Sequence, residues 1–337
     1  MPYRSNIDLD GAATLLSRPD QKLLLTTHAK PDGDAYGAVV ALAKALRQQN
    51  PQVQAILMAP VPANFQCLKG KEMVSIFEDG QPVAPPDLVV ILDTGAWSQL
   101  EPMRPLLEPL TDRMLIIDHH LSGDVVARHR YIDHTAPACC LIVARLLELM
   151  KLSTDQTIRE SLFVGLASDT GWFRFSNATA EAHELAAALK RQGVDHAALH
   201  RQLEQTERAE KLALLSRALD SLKLLAGDRA AVMTLAAGDF ANTGALLEET
   251  ERFVDQPQVV EAVELVVLIT EPPASSDNHN AIRLSFRSKP GPDAVDVAEI
   301  ARGFGGGGHA RAAGAKVAAP LAEVAANVET VITKAMG

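Results

Sequence analysis

The feature that most constrains this chain is a set of short apolar runs that each stop at a carboxylate or a histidine. Lys22–Thr27 (KLLLTT) leads into His28, Leu88–Asp93 (LVVILD) ends on Asp93, and Met114–Asp118 (MLIID) leads into His119. Val53–Met58 is a further apolar run, without a carboxylate or histidine at its end. Continuous apolar runs of this length read as strands buried on both faces. Helical patterns fall between and after them, at about Ala35–Gln49, Ala138–Lys151, Thr154–Ala167 and Thr179–Gln192. Strands with helical crossovers form a parallel sheet covered by helices, and such sheets bind ligands beyond the carboxyl ends of their strands. The polar residues stand at those ends.

The rest of the chain reads differently. Thr206–Leu225 (TERAEKLALLSRALDSLKLL) has the pattern of one amphipathic connector helix. After Gly227 come strand-like Ala230–Leu235, Glu264–Thr270 and Ile282–Arg287, then a helix near Val295–Ala301, a glycine run, and a last helix over Leu321–Ala335. The expected organisation is α/β throughout: a parallel-sheet domain over 1–205, a connector over 206–225, and a smaller α/β domain over 226–337. A length of 337 residues accommodates two domains. Pro82–Pro86 and Pro272–Asp277 read as loops.

Composition narrows the class of function. Apolar residues make up 47%, which excludes wholesale disorder. The net charge of −10 argues against coating long duplex nucleic acid, while leaving room for a short phosphorylated substrate in a local basic pocket. The three cysteines, Cys67, Cys139 and Cys140, have neither the number for a disulfide framework nor the spacing for a thiolate zinc site. Met1–Asp20 contains no apolar core of a signal peptide, and runs such as Val263–Ile269 are too short to span a bilayer. The expected setting is reducing and cytoplasmic, with no membrane partner.

Four polar clusters could carry chemistry. His28-Ala29-Lys30-Pro31-Asp32-Gly33-Asp34 holds one imidazole and two carboxylates around turn-forming residues; it reads equally as a solvated Asp-Gly turn. Asp93 faces the ligand crevice if its strand lies in a parallel sheet, or caps the next helix. In Asp118-His119-His120, one histidine can ligate while the other faces substrate, with Asp118 orienting a ring nitrogen; the other reading is a surface turn. Asp169, in Ser168-Asp169-Thr170-Gly171, is by itself an ordinary end-of-helix turn. Together they supply His28, Asp32, Asp34, Asp93, His119 and Asp169, a nitrogen and oxygen set that suits Mn, Fe or Mg. That many carboxylates fit two divalent cations sharing one of them, an arrangement that activates water and neutralises both attacking and leaving oxygens at phosphorus.

A fifth feature is Gly303-Phe304-Gly305-Gly306-Gly307-Gly308-His309-Ala310-Arg311-Ala312-Ala313-Gly314. Its backbone N–H groups could cradle an anion, with His309 and Arg311 adding donors, or the run could be a flexible linker. On the strand before it, Arg283, Ser285 and Arg287 share one face by period-2 alternation, as a phosphate clamp or a solvated face. Trp172, Phe173 and Phe175 read as core, although a ring near Asp169 could stack on a base. His129, His134, His183, His196, His200 and His279 read as surface or structural.

With these motifs assembled, the chain resembles the DHH phosphoesterase superfamily, in the subfamily with a C-terminal DHHA1 domain. The resemblance runs nearly end to end: His28…Asp32-Gly33-Asp34, Leu92-Asp93-Thr94, Asp118-His119-His120, Ser168-Asp169-Thr170-Gly171, and Gly306-Gly307-Gly308-His309-x-x-Ala312-Ala313-Gly314. The T-H-x-x-P-D-G-D form of the first motif is most similar to the bacterial nanoRNases, bifunctional oligoribonucleases that also dephosphorylate 3′-phosphoadenosine 5′-phosphate. The resemblance implies an active site in the cleft between a DHH domain and a DHHA1 domain, and two Mn²⁺ ions, with Mg²⁺ or Fe²⁺ not separated by ligand type. One ion would be held by His28, Asp32 and Asp93, the other by Asp34, Asp93, His119 and Asp169. His120 would lie near the attacked phosphate, acting with Asp118 and Asp93. Arg287 and His309 would grip a substrate phosphate, assisted by Gly306, Gly307 and Gly308 and by Arg283 and Arg311.

The expected function is therefore a Mn²⁺-dependent phosphodiesterase that takes short single-stranded RNA oligonucleotides to 5′-mononucleotides and acts on 3′-phosphoadenosine 5′-phosphate. Two alternatives stand beside it: a phosphodiesterase of linear or cyclic dinucleotides of the pApA type, and a non-catalytic nucleotide-binding module. A homodimer is compatible with the sequence and is not specified by it.

Overall fold

The computed structural model describes the chain except for residues 1–2, 63–64, 66–67, 79, 81, 125, 277–279 and 292–293. Cys67 and His279 lie outside the described residues. The chain divides into two compact units, Met1–Thr206 and Glu207–Gly337.

The first unit runs α1 (Leu9–Leu16), β1 (Leu23–Thr26), α2 (Gly33–Leu46), β2 (Val53–Met58), β3 (Ser75–Phe77), β4 (Leu88–Leu92), the short helical turns α3 (Trp97–Leu100) and α4 (Arg104–Leu107), β5 (Met114–Asp118), β6 (His129–Ile132), α5 (Cys139–Leu149), α6 (Gln156–Asp169), α7 (Ala180–Arg191) and α8 (His196–Glu204). The strands form one six-stranded sheet in the order β3-β2-β1-β4-β5-β6, and every pairing in it is parallel. β1 and β4 are buried along their whole length because apolar layers cover both faces. One layer is built on α2, α5 and α6 with Leu23, Leu25, Val90 and Leu92. The other sets Leu24, Val89 and Ile91 against Leu100, Met103 and Leu107. The chain leaves β1 toward one edge of the sheet and β4 toward the other, so the topological switch point lies between them, and ligands bind beyond the carboxyl ends of such a pair.

The second unit runs α9 (Ala209–Asp220), β7 (Lys223–Leu225), β8 (Ala230–Leu235), α10 (Ala237–Thr243), β9 (Leu265–Thr270), β10 (Ile282–Ser288), α11 (Val297–Gly303), β11 (Gly307–His309), β12 (Ala312–Val317) and α12 (Leu321–Met336). Its six strands are ordered β11-β12-β10-β9-β8-β7, antiparallel except for the parallel pair β8–β9. Leu284 and Phe286 pack with α11 and α12 on one face. On the other face Val266 and Leu268 pack with Leu214 and Ala218 of α9.

The connector expected over Thr206–Leu225 is corrected. The helix covers only Ala209–Asp220, and Lys223–Leu225 is a strand paired with Ala230–Val232 of β8, in the register Leu225↔Ala230. Ser221 caps the helix and its Oγ also accepts from Thr234 N at 2.7 Å, which turns the chain into the sheet. The helix is thus a packed part of the second unit, through Leu214 and Ala218. Among the described residues no helix is long and apolar enough to cross a membrane.

Candidate metal centre and active site

The carboxyl ends of β1, β4 and β5 bring the first three clusters together, and α6 supplies the fourth. After β1, Asp32 caps α2, its Oδ1 accepting from Asp34 N and Ala35 N, each at 3.0 Å. The turn reading of this cluster is therefore correct for Asp32, and the same turn places the carboxylate 4.0 Å from His28 Nε2. After β4, Asp93 caps nothing; the N-cap of the next helix is Ala96. Asp93 adopts φ 62°, a left-handed conformation unusual for a non-glycine residue, held there by its N–H on Ile117 O at 3.0 Å. Strain of this kind is retained where the surroundings over-determine it, commonly at functional sites. The turn aims a carboxylate that is 1% exposed into the switch point.

The two oxygens of Asp93 face in different directions. Oδ2 lies 3.7 Å from His28 Nε2 and Oδ1 lies 3.3 Å from His119 Nε2. His119 Nε2 is also 3.2 Å from Asp169 Oδ2 and 3.9 Å from Asp34 Oδ2. Asp34, in the first turn of α2, is wholly buried. It accepts from the backbone N–H groups of Cys139 and Cys140, the latter at 2.8 Å, and so serves the uncapped N-terminus of α5. Asp34 and Asp169 meet because α2 and α6 pack very closely. A Cβ on Gly165 would overlap Cys140 Sγ and stand 2.7 Å from Asp34 Oδ1, and one on Gly37 would overlap Ser161 O.

Each ring is fixed by its other nitrogen. His28 Nδ1 is 3.0 Å from Ala29 O and His119 Nδ1 is 3.1 Å from Ala136 O. A carbonyl only accepts, so Nδ1 carries hydrogen in both, and Nε2 is the nitrogen presented to the cluster, as outer partners arrange it in metal sites. His120 follows the same rule with a carboxylate. Its Nδ1 donates to Asp118 Oδ1 at 2.8 Å, and the ring is half-exposed. Asp118 is fully buried and saturated: it also accepts from His119 N at 2.8 Å, from His120 N, and from the Tyr3 hydroxyl. It orients His120 rather than offering an oxygen to a ligand.

Electrostatics agree with this geometry. Burial, and then the Asp93 and Asp169 carboxylates, push Asp34 well above the ordinary carboxylate range. Burial and the Asp93 and Asp32 carboxylates raise Asp169. Burial works against protonation of His28 and His119, yet the carboxylates overcome it, Asp93 raising His28 to about 9, and Asp169 and Asp93 raising His119 to about 11. Asp118 is buried too, but its bonds to His120 and Tyr3 hold it below the usual range, and Asp118 raises His120 in turn.

The donor set fits divalent cations. His28, Asp32 and Asp93 form one group whose ligand atoms converge, Asp34, His119 and Asp169 form another, and Asp93, Asp118, His119 and His120 form a third, in which the Asp118 oxygens already accept hydrogen bonds. Asp93 Oδ1 and His119 Nε2 are buried, make no well-aligned hydrogen bond, and lie 3.3 Å apart with Asp169 Oδ2 3.2 Å from the same nitrogen, so acceptor atoms crowd together where a cation would separate them. Mixed imidazole and carboxylate donors suit borderline or hard ions.

In the second unit, β10 alternates as the sequence pattern requires. Ile282, Leu284 and Phe286 are buried, while Arg283, Ser285 and Arg287 face the other way. The glycine run is no linker. Gly307–His309 pairs with Ala312–Gly314, and a Cβ on Gly306 would overlap Gly314 O. The register sets Arg287 beside Ala312 and Ala312 beside His309. Directly paired residues share a face, so Arg287 and His309 flank a small residue two strand spacings apart, roughly 10 Å. Arg287 Nε also pairs with Asp255 Oδ1 at 3.3 Å, and Arg311 donates to Val295 O at 3.3 Å. Arg283 is exposed and paired in register with Lys316, a cation that the sequence reading passed over.

One further expectation is revised by the structure. Phe175 is not core but 57% exposed, while Trp172 and Phe173 pack on Phe163. His183, His196 and His200, read as surface or structural, set their rings tilted or edge-on against Phe173, Phe163 and Trp172. Tyr3 was missed altogether. It sits in a slot where a Cβ on Gly95 would overlap its hydroxyl and one on Gly123 would lie 2.7 Å from its ring. The signal available for it was only a lone aromatic before α1.

Residues 22–168 match the DHH family, N-terminal domain, and residues 230–335 match the DHHA1 domain. Over 303 residues the chain is 27% identical to the bifunctional oligoribonuclease and PAP phosphatase NrnA of Thermus thermophilus, covering 90% of this chain and 86% of that one. The protein of the same name from Bacillus subtilis is 24% identical over 88% of this chain and 89% of its own. Among solved structures, an exopolyphosphatase-related protein from Bacteroides fragilis superposes with a TM-score of 0.84 at 22% identity, over 97% of this chain and 96% of that one. RecJ of Thermus thermophilus in complex with Mn²⁺ gives 0.52 at 19% identity, over 97% of this chain and 54% of the RecJ chain. The metal-ready cluster at the β1/β4 switch point and both domain matches lead to one assignment: the chain belongs to the DHH family of phosphoesterases, with a DHHA1 domain following its DHH domain.

Proposed function

We propose that this phosphoesterase is a Mn²⁺-dependent oligoribonuclease that takes RNA of a few nucleotides to 5′-mononucleotides and also removes the 3′-phosphate of 3′-phosphoadenosine 5′-phosphate. The observation that carries the reading is the convergence of His28, Asp32, Asp34, Asp93, His119 and Asp169, with the buried Asp93 Oδ1 and His119 Nε2 only 3.3 Å apart at its centre. The names of the relatives, oligoribonuclease and PAP phosphatase, give the substrate class.

In this reading His28, Asp32 and Asp93 would hold one ion, and Asp34, Asp93, His119 and Asp169 would hold the second, with Asp93 common to both groups. Paired ions supply an activated water and charge neutralisation at phosphorus. The chain's own groups do the rest. Asp118 locks the His120 ring through Nδ1, which leaves Nε2 pointing away from the carboxylate. Asp118 also raises His120, which favours the protonated ring that a proton donor to the departing oxygen requires. On the second unit, Arg287 and His309 bind a phosphate of the substrate, the backbone of Gly307 and Gly308 adds N–H donors, and Arg283 and Arg311 add positive charge; Gly306, expected to join them, instead spends its N–H on Ala301 O at 2.8 Å.

The test is a mass-resolved time course with added Mn²⁺ on a 5′-phosphorylated RNA ladder from dimer to 24-mer, with 3′-phosphoadenosine 5′-phosphate alongside. The reading expects rapid loss of the shortest oligomers to mononucleotides and release of phosphate from the bisphosphate. Equal or faster attack on the 24-mer, or activity confined to cyclic dinucleotides, would replace it.

A further inference from the structure

The loop after Asp169 is built in an uncommon way. Gly171, Trp172 and Phe173 all have positive φ, at 56°, 55° and 64°. Bulky L-residues rarely adopt this conformation, and two in succession need an external reason. The turn is tied down by Trp172 N on Ala167 O at 2.6 Å and by Arg174 N and Phe175 N, both on Thr170 O at 3.0 Å. Arg174 Nε donates to Gly171 O at 2.7 Å, and Asn177 Nδ2 returns to Asp169 O at 3.0 Å. The loop thus closes on the candidate ligand from which it starts.

The consequence is a division of three aromatic side chains. Trp172 and Phe173 go inward, against Phe163, His200 and His183. Phe175 goes outward. It is the only aromatic among the exposed large apolar side chains of the described residues. Its ring lies across Gly171, where a Cβ would collide with it, so the ring rests on backbone and is held in place. A single exposed apolar residue is ordinary. An exposed ring set over Gly171 by a strained turn, on a loop that begins at the candidate ligand Asp169 and is tied back to its carbonyl, is a preformed flat surface on the segment that supplies that ligand.

We propose that Phe175 is the stacking surface for a nucleobase adjoining the phosphate under attack. The inference rests on the function proposed above and adds to it the group that recognises the base. Every base has a π face, so stacking would be tolerant of sequence. That suits an enzyme whose substrates share a backbone and differ in their bases.

The experiment is competitive inhibition of diadenylate hydrolysis, with Mn²⁺, by adenosine 5′-monophosphate and by ribose 5-phosphate, in the wild-type protein and in Phe175→Ala and Phe175→Trp. The expected result is that Phe175→Ala weakens inhibition by the nucleotide roughly tenfold, leaves that by ribose 5-phosphate as it was, and that Phe175→Trp restores the nucleotide value. Unchanged inhibition by the nucleotide in Phe175→Ala would overturn the proposal. Equal weakening of both inhibitors would also overturn it, since the ring would then act only by shaping the loop. No hydrolysis of diadenylate by the wild-type protein would overturn instead the function on which the proposal rests, a result distinct from the other two.

Discussion

Asp93 and Asp118 end neighbouring strands and have opposite duties, and their partners explain why. Asp93 turns through φ 62° and presents its oxygens to His28 and His119, whereas Asp118 fills its oxygens with Tyr3, His120 and two backbone N–H groups. The sequence made both carboxylates visible as strand ends but could not rank them, because the rank depends on partners such as Tyr3, which is 115 positions from Asp118. Removing the Tyr3 hydroxyl frees Asp118 to turn away from His120. Tyr3→Phe is therefore expected to lower kcat by about tenfold with little change in KM, the lower end of what loss of an outer partner produces. Steady-state kinetics on a dinucleotide checks this, and an unchanged kcat would remove Tyr3 from the account. A second prediction concerns protons. Raised values of about 9 for His28 and about 11 for His119 mean that both rings are protonated at neutral pH before metal arrives. For a raised histidine, the protonated form stabilises the metal-free fold fully below the unfolded value, about 6.5, and that contribution is lost as pH rises through the folded value. A cation must displace those protons, so metal binding should release protons at pH 7.5 and tighten as pH rises toward 9. Calorimetry in buffers of different ionisation enthalpy reads the release directly; none would contradict the prediction.

At the scale of elements, the apolar runs marked β1, β2, β4 and β5 because strands buried on both faces need no polar residue until they end. β6 escaped notice because His129–Ile132 alternates buried and half-buried positions within only four residues. The close approach of α2 to α6 was not legible either, since Gly33, Gly37 and Gly165 acquire meaning only when the two helices face each other. Gly165→Ala puts a methyl against Cys140 Sγ and Asp34 Oδ1, an overpacking that costs about 1–3 kcal/mol. The variant is expected to melt several degrees lower and to bind metal more weakly, because Asp34 is displaced; normal affinity with a normal melting temperature would show that the helices accommodate it. In the second unit, period-2 alternation assigned Arg283, Ser285 and Arg287 to one face, and the structure adds the neighbouring rows, Arg287–Ala312–His309 and Arg283–Lys316. Arg287→Ala is expected to raise KM for a dinucleotide by roughly tenfold, the scale of one hydrogen bond to a charged group, with kcat much less affected. A fall in kcat at constant KM would move Arg287 from binding to chemistry.

At the scale of the whole molecule, the division of labour follows from the two sheets. The parallel sheet has a switch point and gathers side chains there. The mixed sheet leaves β10, β12 and β11 to display a polar, cationic row beside an apolar layer. Fold class was legible in the sequence because patterning is periodic and local. The boundary helix was not, since the end of a continuous amphipathic stretch became β7 only through its pairing with β8. The central claim is that six side chains drawn from four separate segments of the chain make one centre for two divalent ions. Electron paramagnetic resonance of Mn²⁺ titrated into the protein tests it most directly. The account predicts about two ions bound per chain with a spin-coupled signal, as expected for ions sharing a carboxylate only a few ångströms apart, and loss of that coupling in Asp93→Ala. One isolated ion, or an unchanged coupled signal in Asp93→Ala, would contradict it.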